Sequence, residues 1–164
     1  MMKIARFALL AVAALLGACS NDGGGSADVS IDGTWDAVAL ELDETTATED
    51  ELLASDFLDI LTAKDCYILS VTFGQDGSAT AENAFNYLDL SGVPTGNFDI
   101  PCPNQSDTET GTYVFENGEL RFTDSGGVTN TAAAEISGNR LYMDLEGSVY
   151  EDFVSTGQLV FEKR

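Results

Sequence analysis

From Ile31 onward, hydrophobic and polar residues alternate with a period of two along most of the chain, the pattern of half-buried strands. Ile31 to Leu42 reads as an opening strand. Tyr67, Leu69, Val71 and Phe73 alternate with Ile68, Ser70 and Thr72, and Asp76-Gly77 turns that strand into Ala79 to Leu88. Residues 112–123 carry Asn117-Gly118, the strongest two-residue hairpin signal. Counting outward from it sets Phe115 opposite Leu120 and Tyr113 opposite Phe122 on an apolar face, with Val114 opposite Arg121 on the other. Gly138-Asn139 likewise pairs Ile136 with Leu141 and Ala134 with Met143, and Leu145 extends that face. Gln158 to Lys163 forms the last strand, with Leu159 and Phe161 inward.

One segment breaks the period. Thr48-Glu49-Asp50-Glu51 is a capping box, with acids suited to the positive end of a helix dipole. Leu53, Phe57, Ile60 and Leu61 follow at helical spacing, which predicts one amphipathic helix over 49–62. Between the strands, residues 89–109 hold all three prolines of the chain in a long turn-rich stretch, a length that is usually functional or pinned.

About eight strands joined mostly by short turns predict an all-β domain with one short helix, an eight-stranded antiparallel up-and-down barrel. Closure removes open sheet edges. A barrel of eight strands encloses side chains or one small ligand. The lone helix has to bury its apolar stripe, and the end of the barrel is the surface available, so Leu53, Phe57, Ile60 and Leu61 are expected to face in there.

The first 30 residues follow different rules. Lys3 and Arg6 precede a ten-residue apolar run, Phe7 to Leu16, too short to span a bilayer and suited to a secretory signal. Leu16-Gly17-Ala18-Cys19 resembles the lipobox of bacterial lipoproteins. That resemblance implies cleavage before Cys19, acylation of Cys19, and an envelope location. Ser20 in place of an aspartate implies the outer membrane of a Gram-negative cell. The chain then divides into a signal peptide (1–18), a polar glycine-rich tether (19–30) of roughly 15–20 Å as a coil, and one domain (31–164).

Charge narrows the partners. The sequence has 7 basic and 28 acidic residues, a net charge of −21. Processing would remove Lys3 and Arg6, leaving 5 bases against 28 acids and a net charge of −23. This argues against nucleic acid as a partner and against a polybasic membrane patch. Membrane association is left to the lipid. No stretch has the spaced ligands of a calcium loop, so the acids read as a solvated surface. With no histidine there is no Ser-His-Asp or Cys-His machinery and no metal or cofactor site is expected; the chain does not read as an enzyme. With Cys19 set aside, Cys66 and Cys102 remain, and an exported chain is expected to join them as a disulfide closing a loop of about 35 residues.

Gly33-Thr34-Trp35 on the first strand resembles the Gly-x-Trp motif of lipocalins. Cys66, Phe73-Gly74-Gln75-Asp76-Gly77, Cys102, Gly111-Thr112-Tyr113 and Phe161-Glu162-Lys163 follow in the order of bacterial lipocalin-like lipoprotein domains. The resemblance spans residues 31–164. It implies a lipocalin-like barrel binding a small apolar ligand, with Trp35, Phe57, Phe73, Tyr113, Phe115 and Phe122 as contacts. Lipocalins proper stack an arginine from near the last strand on the motif tryptophan; here that region offers Lys163 and Arg164. The helix also falls between the first two strands, not after the last. The alternative is a structural or protein-interaction lipoprotein whose large inward aromatics fill the barrel.

Overall fold

Eight strands run in chain order around a closed antiparallel barrel: β1 (Gly33–Leu42), β2 (Leu69–Phe73), β3 (Ser78–Asn83), β4 (Asp107–Glu116), β5 (Glu119–Asp124), β6 (Thr129–Ser137), β7 (Arg140–Asp144) and β8 (Gly157–Lys163). The computed structural model describes residues 30–96, 98–145 and 155–164. The segments expected to be signal peptide and tether, with Cys19, lie outside them apart from Ser30. β8 pairs with β1 to close the barrel, and a bulge between Ala37 and Ala39 re-aims β1 so that Leu40 lies opposite Leu159.

The hairpin registers follow the alternation. Tyr113 lies opposite Phe122, Val114 opposite Arg121 and Phe115 opposite Leu120. Ile136 lies opposite Leu141 and Ala134 opposite Met143. Asn117 and Gly118 both have positive φ, 55° and 77°, which the favoured two-residue hairpin turn requires at both positions.

Two strand ends differ from the alternation. β3 stops at Asn83 instead of reaching Leu88: the Asn83 side-chain oxygen accepts from the Phe85 amide, and a 3-10 turn follows over Phe85–Tyr87. Such a local side-chain bond competes with the ladder and ends it. β2 begins at Leu69, because Tyr67 is exposed and Ile68 buried, the reverse of the expected alternation.

Helix α1 (Glu49–Thr62) begins with the expected capping box. The Thr48 hydroxyl accepts from the Glu51 amide, and Glu51 Oε2 accepts from the Thr48 amide at 2.7 Å. Its inward face is a correction to the expected stripe. Leu53 is 37% exposed and faces away. Phe57, Leu58 and Leu61 are buried, and Ala54 and Ile60 pack partly buried against the core. Positions 54, 57, 58 and 61 follow the i, i+3, i+4, i+7 rule, and Leu53 lies just off that stripe. Ser55 ties the helix to β1 by donating to the Leu40 carbonyl at 2.7 Å, and Glu51 Oε1 accepts from the Ser155 amide at 3.1 Å.

Cys66 and Cys102 are joined, with Cα atoms 5.7 Å apart. The bond fastens the β3–β4 connection, residues 84–106, to the chain just before β2.

Candidate functional site

The two ends of the barrel are built differently. At one end the hairpins β2–β3, β4–β5 and β6–β7 turn tightly, and here the chain itself closes the floor. Trp35, fully buried, donates its indole N–H to the Ile31 carbonyl at 2.6 Å. The Tyr113 hydroxyl donates to Asp32 at 2.8 Å and to the Gly74 carbonyl at 3.1 Å. The Lys163 ammonium sits 5.1 Å from the centre of the Trp35 ring and donates to the Ser30 carbonyl at 3.3 Å. Three inward side chains from β1, β4 and β8 thus hold the segment 30–32 across the floor. Burial, then the bond to Asp32, pushes the Tyr113 hydroxyl up to about 12. Bonds from the Ser30 and Tyr113 hydroxyls hold Asp32 below the ordinary carboxylate range.

Of the two cations that end the chain, Lys163 is the one over the tryptophan. Arg164 goes elsewhere: its guanidinium donates twice to Asp36, at 2.6 and 2.9 Å. Asp36 is buried and also accepts from the Ser70 hydroxyl at 2.6 Å, so this charge is paired and hydrogen-bonded on the outward side of β1.

Above the floor two adjoining cavities lie among the packed side chains. One cavity of about 310 Å³ is walled by Val71, Phe73, Leu120, Phe122, Met143 and Phe161, with Asn83, Asp107, Glu109 and Asn130 toward its mouth. An adjoining cavity of about 290 Å³ lies beneath α1, between Ala54 and Leu58 of the helix and Leu40, Leu145 and Leu159 of the barrel. Leu69 and Asn83 border both. Register explains the gradient from apolar to polar. Across β2, β3 and β4 the inward rows are Phe73–Ala79–Gly111, then Val71–Ala81–Glu109, then Leu69–Asn83–Asp107. Small residues at 79 and 81 leave the space open. At Gly111 a Cβ would stand 2.8 Å from the Phe122 ring, so the absent side chain lets that ring lie across β4.

The mouth is clasped on one side. Asp107 accepts from the Asn86 amide at 2.9 Å and from the Tyr87 hydroxyl at 2.8 Å, holding the 3-10 turn against the start of β4. These bonds keep the Asp107 carboxyl below its ordinary range and the Tyr87 hydroxyl above its own. Among the described residues no three metal-ligating side chains converge.

Of the six contacts expected from sequence, Phe73 and Phe122 line the larger cavity. Trp35 and Tyr113 build the floor. Phe57 is buried in the core beneath the helix, and Phe115 packs half-buried against that core; neither borders these two cavities. The polar lining, Asn83, Glu109 and Asn130, was not anticipated. Polar residues in an alternating strand read as outward, and β4 starts at Asp107, five residues before the strand read from the hairpin.

No family model matches the sequence, and no curated protein is significantly similar to it. Among solved structures the chain is similar to that of an uncharacterized protein from Bacteroides eggerthii, with 13% identity, 82% of this chain and 100% of that chain covered, and a TM-score of 0.45.

Proposed function

We propose that the protein is a lipoprotein anchored in the cell envelope through Cys19, whose lipocalin-like barrel binds a small apolar ligand in its open half. The observation that carries this reading is the pair of adjoining cavities, about 310 and 290 Å³, walled by apolar side chains and rimmed by a few polar ones. Sites for small molecules have that size and that lining. The inward aromatics do not fill the barrel, because Trp35 and Tyr113 are spent on the floor. The lysine over Trp35 also supports the lipocalin-like reading, since it supplies the cation–π contact that the family obtains from arginine.

A second reading, an interaction lipoprotein, is favoured by the exposed Phe85 and Phe98, 50% and 47% accessible, on the connection beside the mouth. Native mass spectrometry of the protein purified from envelopes separates the two. A retained small molecule at one-to-one stoichiometry is the expected result; a ligand-free barrel carrying a protein partner would favour the second. In the same preparation, Cys19→Ala should abolish the acyl mass and release the chain from the membrane fraction to which, with Ser20 after the cysteine, we assign the outer membrane. Retention at unchanged mass would defeat the anchor.

A further inference from the structure

The charges around the cavities are one-sided. Glu109 and Asp107 line the mouth of the larger cavity with Asn83 and Asn130. Both oxygens of Asp107 are occupied by Asn86 and Tyr87. Glu109 is exposed, on the same inward row as Val71 and Ala81, and makes no hydrogen bond or ion pair with any described residue. Among the described residues the basic side chains are all elsewhere. Lys64 pairs with Asp99 at 2.7 Å, Arg121 with Glu119 at 3.1 Å, and Arg164 with Asp36. Lys163 lies on the floor beneath the apolar walls, and Arg140 stands at the closed-end turn opposite Ser137. None borders either cavity, and the sequence between Leu145 and Ser155 has no Lys or Arg.

An anionic amphiphile placed in this barrel would bring its carboxylate to a mouth with no cation to receive it, next to a free carboxylate, on a chain of net charge −21. A charge left unpaired at an apolar boundary is costly, and like charges add to that cost. A cationic head group meets the opposite situation. The surface field raises its local concentration and Glu109 supplies a counter-charge at the rim; the amides of Asn83 and Asn130 both donate and accept and so serve either head group alike. From this geometry we infer that the barrel selects amphiphiles with an amine-type cationic head over anionic ones of the same chain, the tail lying between Phe73, Leu120, Phe122 and Met143 and the head at Glu109. The inference rests on the reading of the open half as a ligand site.

Dodecylamine, dodecanol and dodecanoate, each below its micelle concentration, test both levels by displacement of a neutral fluorescent probe from the unacylated full chain with its disulfide intact. The expected order is amine, then alcohol, then acid. An exposed ion pair is worth about two- to five-fold in affinity, so attraction and repulsion together should separate amine from acid by about ten-fold at low salt and less at high salt. Glu109→Gln should weaken the amine about two- to five-fold and leave the alcohol unchanged. Glu135→Gln makes the same charge change at an exposed position away from the mouth and should alter neither. If acid and alcohol bind as well as the amine, or if Glu135→Gln acts as strongly as Glu109→Gln, selection at the mouth is overturned while the cavity reading stands. If none of the three displaces the probe, the cavity reading itself falls.

Discussion

The floor and the mouth of this barrel use the same eight strands for opposite purposes. At the floor, tight turns leave little chain to position, and the inward side chains are large and multiply bonded. Trp35 and Tyr113 bury ring surface and reach an acceptor on the segment 30–32, and the exposed Lys163 sets its ammonium by the Trp35 ring and donates to the Ser30 carbonyl. Above the floor, the inward positions of β3 are Ala79, Ala81 and Asn83 in ascending order, and α1 and the 84–106 connection lie at the mouth. The helix is tied by Ser55 and Glu51 and packs through Phe57, Leu58 and Leu61; the connection is tied by Asp107, by the Lys64–Asp99 pair, by the buried Ile100 and by the disulfide. Large side chains with satisfied polar tips make a rigid plug. Small side chains beneath a separate helix and connection leave room that large ones would fill. Residue type and role part company here: of the six aromatics that read as ligand contacts, Trp35 and Tyr113 build the floor, Phe73 and Phe122 line the wall, and Phe57 and Phe115 pack in the core.

Substitutions at the two ends should differ in kind as well as in size. The largest effect is expected for Trp35→Ala, about 3–5 kcal/mol in chemical denaturation, since it removes a fully buried ring from a site that has little room to collapse. Protection from hydrogen exchange should fall throughout the barrel. A loss confined to the floor would mean that the two ends do not share one cooperative core.

Removing the disulfide with Cys66→Ala and Cys102→Ala is expected to cost about 3–4 kcal/mol by chain-entropy reasoning for a separation of 36 residues. Here the exchange pattern should be polarised. Residues 84–106 should lose protection first, while the turns at 117–118 and 138–139 keep theirs.

Leu58→Ala comes next, at about 2–3 kcal/mol, the lower part of the range for a buried leucine because the side chain already borders an empty space. It enlarges the cavity under α1, so binding of a bulkier apolar probe should be retained or improved as stability falls. Parallel loss of both would make the helix a plug of the core alone.

The smallest effect is a local one with pH. The Asp107 carboxyl lies below its ordinary range when folded, so its clasp on Asn86 and Tyr87 is fully present above the unfolded carboxylate value, about 3.9, and is lost as pH falls below that through the folded value. The Tyr87 hydroxyl is raised above its ordinary 10.0, so alkali should not release the clasp until above that pH. The protection factors of the 84–88 amides, exchange rates taken relative to the intrinsic rate at each pH, should therefore stay flat from weakly acidic to weakly alkaline pH and fall below about pH 4. A fall in protection near neutrality would show that Asp107 does not hold the connection.

Much of the barrel was legible because its cause is local. Asn117-Gly118 sets one turn, the period of two then sets every partner in that hairpin, and Thr48 with Glu51 sets the helix start. The inward face of α1 was less legible. Leu52, Leu53, Leu58, Ile60 and Leu61 are all apolar, so several stripes fit the helical period, and only contact with Leu40 and Leu159 selects the one through Ala54 and Leu58. The floor could be foreseen from Gly33-Thr34-Trp35, but not that Lys163 would cover the ring while Arg164 turned outward to Asp36. One position along a strand reverses the face, and both residues are cationic. The mouth was least legible. Asn83, Glu109 and Asn130 face inward because the register requires it, whereas their polarity by itself points outward.

If the open half of the barrel is a ligand site, filling it must block binding. Ala81 sits on the cavity row between Val71 and Glu109, and a phenylalanine there would project into the larger cavity. Titration of the wild-type domain in the unacylated full chain with the neutral fluorophore N-phenyl-1-naphthylamine should give saturable one-to-one binding. Ala81→Phe should weaken that binding roughly ten-fold or more, about 1.4 kcal/mol, with an unchanged or raised melting temperature. Equal binding by Ala81→Phe, or no saturable binding by the folded wild type, would contradict the account.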